Sequence, residues 1–217
     1  AVSPDDFGPR NQRALRLALK VDVDRPLIFF GARDPHDPRK GMMILKQALE
    51  GLAASSPGGL RPTLLVAGDP EPFAGLAGLG FPVRTLGLVS PSGLADAYAA
   101  ADIFVSPSIE DSGPMMVNEA VMCGTPVVAF PIGVALDLVK PGRTGSVAAA
   151  MTAGALGDAM AEVLRWPAER RETARAEARK FALMTFSPSA QAVRLSALAD
   201  RLSRSHKGDE RGHAARG

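Results

Sequence analysis

Acidic residues surround a predicted helix start near the middle of the sequence. The apolar run Ile103-Phe104-Val105 leads into an acidic loop that ends with Asp111 and the triplet Ser112-Gly113-Pro114. Proline suits the first position of a helix, because its φ is already helical and its missing amide proton would have no partner there. The sequence therefore predicts that a helix begins at Pro114, with Gly113 or Ser112 at its cap.

The free amides of this helix start are expected to form an anion site. The amides of Met115 and Met116 would point out of the helix end, and the positive end of the helix dipole would add to them. Asp111 and Glu119 bracket this site, and carboxylates accept strong hydrogen bonds from neutral hydroxyl groups. The pattern thus favours a ligand that carries both an anionic group and hydroxyls. The alternative interpretation is that Asp111 caps the helix and Glu119 lies on a solvated face.

A basic loop follows the first apolar run of the chain. Gly31 and Arg33 open this loop, and Lys40 stands just before Gly41 and the next predicted helix. A lysine at such a position can reach a phosphate group held at the same edge, while the glycines let backbone approach it closely. Arg39 is a further candidate for this contact. The alternative is a solvated turn whose basic residues pair with the loop's own acids.

Short apolar runs that alternate with helical patterns must position these loops. Apolar residues recur every three to four positions between the runs, which indicates helices. The alternation predicts an α/β fold with a doubly wound parallel sheet of about six strands, and ligands of such sheets bind beyond the carboxyl ends of the strands. Five runs are predicted as strands: 27–30, 63–67, 83–86, 103–105 and 127–130.

The pattern becomes entirely helical after about residue 150, which predicts extra C-terminal helices on the sheet domain. We assign residues 1–202 to one Rossmann-like domain and expect residues 203–217 to form a disordered tail. Val193 and Leu198 recur at helical spacing in the last predicted helix, 190–202. Such an apolar face is expected to lose part of its burial when no partner covers it.

Composition narrows the class of protein. Apolar residues make up 46% of the 217-residue chain and charged residues 22%, and the formal charge is +2, so a folded core is expected and no basic face for nucleic acid is indicated. The single cysteine excludes an intrachain disulfide. No apolar run is long enough for a transmembrane helix and no secretory signal is seen, which predicts a cytoplasmic protein. No spacing typical of metal ligands occurs, and no nucleophile–histidine constellation can be assembled.

Several motifs in one register give the sequence a specific resemblance. The stretch from Tyr98 to Gly145 resembles the donor-binding, C-terminal domain of family 4 glycosyltransferases, which have the GT-B fold of two facing Rossmann-like domains. The resemblance extends from about Asp6 to about Leu202. The matching segments are Tyr98-Ala99-Ala100-Ala101-Asp102, Ser106-Pro107-Ser108, Glu119-Ala120, Cys123-Gly124-Thr125-Pro126 and Gly142-Arg143-Thr144-Gly145.

The resemblance implies roles for individual residues. The family carries two glutamates with seven residues between them, one near the donor sugar and one at the nucleotide ribose. Glu119 matches the second, and Asp111 stands in place of the first, with Glu110 one residue earlier. Lys40 matches the family's diphosphate-binding lysine, and Arg33 lies one residue after the position of its arginine. Asp111, Glu119 and Lys40 are thereby expected to be catalytic. The expected donor contacts are Gly31, Arg33, Lys40, Ser112, Gly113, Pro114, Met115, Met116 and Glu119.

The resemblance also implies a function. We expect a retaining, metal-independent transferase of the hexosyltransferase type that uses a nucleotide-diphosphate sugar as donor, needs no cofactor and serves polysaccharide or glycoconjugate synthesis. The acceptor-binding N-terminal domain is expected to be a missing partner, and the full enzyme to be cytoplasmic or peripheral to the inner membrane. The alternatives are a nucleotide-sugar-binding module without catalysis and a half-domain of a sugar-nucleotide epimerase.

Overall fold

The computed structural model describes residues 2–54, 60–69, 76, 78–111 and 115–214, with side chains described up to residue 202. Within these residues the strands are β1 (Leu27–Gly31), β2 (Thr63–Ala67), β3 (Val83–Thr85), β4 (Ile103–Ser106), β5 (Val127–Ala129) and β6 (Gly145–Val147). The helices are α1 (Gln12–Ala18), α2 (Met42–Ala54), α3 (Pro91–Ala100), α4 (Met115–Met122), α5 (Ala135–Leu138), α6 (Ala153–Leu164), α7 (Ala168–Thr185) and α8 (Pro188–Ala214).

The described strands form one parallel sheet in the order β3-β2-β1-β4-β5-β6. The chain thus winds outwards from β1 in both directions, which confirms the predicted doubly wound α/β fold. Each of the five predicted strands is present, with ends that differ by at most one residue. The strand β6 lies in a segment where we expected only a Gly-Arg-Thr-Gly motif, and three residues are too few to show a periodic pattern.

Both faces of the sheet are covered, and the residues of β1 show how. Leu27 and Phe29 belong to the apolar core beneath α3, α4 and α7, whereas Ile28 and Phe30 belong to the core beneath α2 and α6. Consecutive strand residues point to opposite faces, so a strand buried on both sides has to be apolar throughout. This is why the central strands β1, β2, β4 and β5 are largely apolar runs in the sequence.

Two arginines hold the amino edge of the sheet, and one of them, Arg16, is buried. Arg16 donates to the carbonyl of Ala100 at 2.9 Å and pairs with Asp102 at 2.8 Å, and the same Asp102 oxygen accepts from the amide of Leu27 at 2.7 Å. Arg175 donates to the carbonyls of Ala99 and Ala101 at 2.9 and 2.8 Å. These donors satisfy carbonyls at the C-terminal end of α3, which have no partner within the helix.

The C-terminal helices differ in part from the prediction. The helix α8 runs from Pro188 to Ala214, so it continues beyond residue 202, where the composition predicts a disordered tail. Five residues of this extension have good intrinsic helix propensity, namely Arg204, Lys207, Glu210, Arg211 and Ala214. Val193 and Leu198 of this helix are 70% and 50% exposed. No helix among the described residues is long and apolar enough to cross a membrane.

Candidate functional site

A cleft of about 340 Å³ lies at the carboxyl edge of the sheet. It opens between the loop after β1, the loop after β4 and the first residues of α4, where the fold class places its ligands. Of the residues predicted to contact a ligand, this cleft brings together six. They are Gly31, Arg33, Lys40, Asp111, Met115 and Met116.

A short 3-10 turn, Pro38–Lys40, positions the lysine. Asp37 caps this turn by accepting the amide of Arg39 at 3.0 Å, and Gly41 ends it with a φ of +71°. A Cβ atom at Gly41 would lie 1.9 Å from the carbonyl oxygen of Pro107, so the position requires glycine for its dihedral and for space. The turn therefore ends with Lys40 directed at the loop after β4.

The two loops that border the cleft are joined through their backbones. The amide of Ile109 donates to the carbonyl of Arg39 at 2.9 Å. This bond links the residue before Lys40 to a residue two positions before Asp111. The separation of the lysine from the acid is therefore set by backbone contacts as well as by their side chains.

Lys40 and Asp111 form an ion pair across the cleft. Lys40 Nζ lies 3.0 Å from Asp111 Oδ2, and the two side chains are 37% and 18% exposed. A partly solvated pair of this kind is screened by water, and its net contribution to stability is small. An anionic ligand can therefore compete with Asp111 for the lysine at little cost to the fold.

The two arginines of the loop after β1 have different environments. Arg33, one of the expected donor contacts, is exposed and lines the cleft. Arg39 instead directs its guanidinium to the carboxylate of Asp37, with contacts of 2.8 to 3.2 Å. These hydrogen bonds hold the pKa of Asp37 below its usual range. Arg33 is thus the arginine of this loop that is placed to reach a ligand in the cleft.

The start of α4 lies against the floor of the cleft. The triplet Ser112-Gly113-Pro114, predicted to cap the helix, lies outside the described residues, and α4 is described from Met115 onwards. Met115 is half exposed, while the methyl group of Met116 approaches Gly31 so closely that a Cβ atom there would lie 2.5 Å from it. The backbone of Gly31 is therefore packed directly under the helix start.

Glu119 lies one turn further along α4 and is not among the described residues that line this cleft. Its Oε2 accepts a hydrogen bond of 2.9 Å from the hydroxyl of Tyr98, a fully buried residue of α3. Burial raises the pKa of Glu119, and the bond from Tyr98 offsets part of this rise. The spacing of Tyr98 and Glu119 in the sequence does not predict this contact, although Tyr98 opens one of the motifs that carry the resemblance.

Comparison with solved structures establishes the class to which this fold belongs. Sucrose-phosphate synthase from Thermosynechococcus elongatus superposes with a TM-score of 0.75 and 28% identity, covering 94% of this chain and 51% of that one. The six-stranded parallel sheet of the described residues is thus the Rossmann-like half of a GT-B glycosyltransferase, as the sequence predicts.

The chain belongs to the family of glycosyl transferases group 1, whose model matches residues 25–165. Two curated relatives are D-inositol 3-phosphate glycosyltransferases. That of Mycobacterium tuberculosis is 32% identical over 88% of this chain, and enzyme 2 of Catenulispora acidiphila is 34% identical over 76% of it. The matched region is 41% of the length of each relative. The resemblance found in the sequence motifs is therefore confirmed at the level of the family.

Proposed function

We propose that this chain binds a nucleotide-diphosphate sugar as the donor domain of a retaining, metal-independent glycosyltransferase. The observation that carries the proposal is the position of Lys40. Its ammonium group lies at the carboxyl edge of a doubly wound sheet, beside the start of α4. It pairs there with the carboxylate of Asp111, which an anionic ligand can replace as its partner. Membership of the transferase family supports the same proposal.

The chemistry of the cleft suits a diphosphate. The ammonium of Lys40, the exposed guanidinium of Arg33 and the positive end of the dipole of α4 together favour negative charge. In a glycosyl transfer, negative charge develops on the diphosphate as the bond to the sugar breaks, and groups already in place stabilise it without reorganisation. In this proposal these positive groups provide the stabilisation that a metal ion provides in other transferases.

The acids have a different part in the proposal. Asp111, opposite Lys40, accepts hydrogen bonds from hydroxyl groups of the donor sugar once the diphosphate has taken its place at the lysine. Glu119 accepts hydrogen bonds from the ribose hydroxyls. Carboxylates bind neutral hydroxyls strongly and repel the diphosphate, so they fix which end of the donor lies where.

The proposal also covers the domain that binds the acceptor. The chain spans about two fifths of the length of its curated relatives. We propose that an acceptor-binding domain completes the cleft, that the full enzyme serves polysaccharide or glycoconjugate synthesis in the cytoplasm or at the inner membrane, and that the 217-residue chain alone binds the donor with turnover at background.

A binding screen tests the proposal. UDP, GDP and ADP, each free and as the glucose conjugate, are titrated into the chain by calorimetry, and the shift in Tm is measured in parallel with and without a chelator. One nucleotide is expected to bind and to raise Tm by mass action, with no change on chelation. Absence of binding by all of them, or binding that requires Mg²⁺ or Mn²⁺, would contradict the donor site as described.

The same samples distinguish the alternatives. Product analysis after prolonged incubation with the bound nucleotide sugar is expected to show the donor unchanged. Release of free sugar would show that the chain catalyses hydrolysis by itself. Conversion of the donor sugar into its epimer would replace the transferase proposal with that of an epimerase.

A further inference from the structure

A hydrogen bond between two helices connects the apolar core to an acid of the proposed donor site. Tyr98 of α3 is fully buried, and its ring packs edge-on against Phe29 and Phe104 with centroids 5.0 and 5.2 Å away. Its hydroxyl lies at the border of this apolar environment and donates a hydrogen bond of 2.9 Å to Oε2 of Glu119. The direction of the ring is set by the core, so the position of the hydroxyl is set as well.

The backbone of Tyr98 is held just as firmly. The hydroxyl of Thr125, which is fully buried, donates to the carbonyl of Tyr98 at 2.7 Å, and the amide of Thr125 donates to the carbonyl of Ala120 at 2.8 Å. Thr125 follows the turn that ends α4, the helix that carries Glu119. The helices α3 and α4 are therefore joined at two points, and Tyr98 takes part in both.

The bond has a defined direction. Burial and the neighbouring charge of Glu119 raise the pKa of Tyr98 well above its usual value, so the phenol keeps its proton and acts as the donor. The carboxylate accepts through Oε2, and Oε1 makes no hydrogen bond to the described residues. A hydroxyl with a fixed direction thus holds one oxygen of Glu119 and leaves the other for a ligand.

We propose that Tyr98 is a positioning residue for nucleotide recognition: it orients the carboxylate of Glu119 so that the second oxygen accepts the ribose hydroxyls of the donor. The inference rests on the proposed function, in which Glu119 binds the ribose. It adds a residue of the core that contacts no ligand and acts only through the glutamate. If so, the preference of the site for ribonucleotides over their deoxy analogues depends on the hydroxyl group of Tyr98, which does not itself contact the ligand.

The test compares two ligands in two proteins. The nucleoside diphosphate that binds in the screen and its 2′,3′-dideoxy analogue are titrated into the wild-type chain and into Tyr98→Phe, which keeps the ring and its packing. The substitution is expected to weaken binding of the ribonucleotide roughly tenfold, as for loss of a hydrogen bond to a charged group. The affinity for the dideoxy analogue is expected to stay unchanged. Thr125→Val is the matched control, because it removes the other bond of Tyr98 without touching Glu119, and both ligands should respond to it equally.

A double-mutant cycle tests whether the effect passes through the acid. In a Glu119→Ala background, Tyr98→Phe is expected to cause no further loss of ribonucleotide binding. Equal weakening of both ligands by Tyr98→Phe, or additive losses in the cycle, would show a merely structural tyrosine and overturn the inference. A wild-type chain that binds both ligands equally would also overturn it while leaving the diphosphate site intact. A wild-type chain that binds neither would remove the proposed function itself.

Discussion

Charged side chains at the two edges of the sheet have different partners. At the amino edge, Arg16 and Arg175 donate to backbone carbonyls at the end of α3, and the paired Arg16 and Asp102 side chains are only 7% and 12% exposed. At the carboxyl edge, Lys40 pairs with the side chain of Asp111 in an open cleft. An arginine that satisfies buried carbonyls cannot leave them without cost, whereas a solvated side-chain pair can exchange its partner. The same kinds of charge therefore support structure at one edge and, in the proposed function, ligand binding at the other.

The largest effect is expected at the amino edge. Arg16→Ala leaves the largely buried carboxylate of Asp102 without its paired cation and removes a donor to the carbonyls of Ala100, Val23 and Arg25. The free energy of unfolding should therefore fall by about 3–5 kcal/mol in urea denaturation. Arg25→Ala is the control, since that side chain is 45% exposed and pairs with Asp22 on the surface; its effect should stay within about 0.5 kcal/mol. Equal losses of unfolding free energy in the two variants would contradict the distinction between buried charges that support structure and solvated charges that can exchange partners.

The second effect concerns binding rather than stability. Lys40→Ala should weaken binding of the nucleoside diphosphate by about 10- to 150-fold, because a hydrogen bond to a charged group is lost. The Tm of the free chain should change little. Lys46→Ala is matched to it in exposure, with a side chain 35% exposed against 37% for Lys40, and pairs with Glu50. Calorimetry that finds both variants equally impaired would place the anion site elsewhere.

A smaller effect of opposite sign is expected from the partner acid. Asp111→Asn removes the charge that competes for Lys40 and repels a diphosphate, so the free nucleoside diphosphate should bind about threefold to tenfold more tightly. Glu110→Gln changes the neighbouring exposed acid and should leave the affinity unchanged. If Glu110→Gln instead gives the tighter binding, the acid that faces the donor is Glu110.

The smallest effect is a dependence of stability on pH. Burial raises the pKa of Glu119 above its usual value of 4.5, so its contribution to stability is full below that pH and is lost as the pH rises through the raised value. Glu119→Gln, which cannot ionise, should therefore gain stability relative to the wild type as the pH rises above 4.5. Urea denaturation between pH 4 and pH 8 measures the difference, and one that is constant with pH would contradict the raised pKa.

The sequence predicted those parts of the fold that depend on local pattern. Continuous apolar runs located β1, β2, β4 and β5, because a strand buried on both faces shows no alternation. The strand β6 escaped prediction, since Gly145 adopts a φ of +153° with no room for a Cβ atom beside Val127, and a glycine in a three-residue run gives no strand signal.

The candidate site was predictable to a different degree. Lys40 and Asp111 could be expected at one edge because both follow strands of a parallel sheet, and the structure places them in contact. That Arg39 turns to Asp37 depends on the geometry of one short turn, which residue types alone do not specify. The bond between Tyr98 and Glu119 joins residues 21 positions apart on two helices. Only the packing of α3 against α4 brings these residues together.

The backbone bond between Ile109 and Arg39 has a consequence for protein engineering. Loops around a ligand site are commonly exchanged between relatives in order to change donor preference. Here the loop after β1 and the loop after β4 share a hydrogen bond, and Gly41 of the first packs on the carbonyl of Pro107 in the second. The two loops therefore have to be exchanged together. A chimera that receives both loops from the same parent should keep its cleft, whereas a chimera that receives a single loop should not.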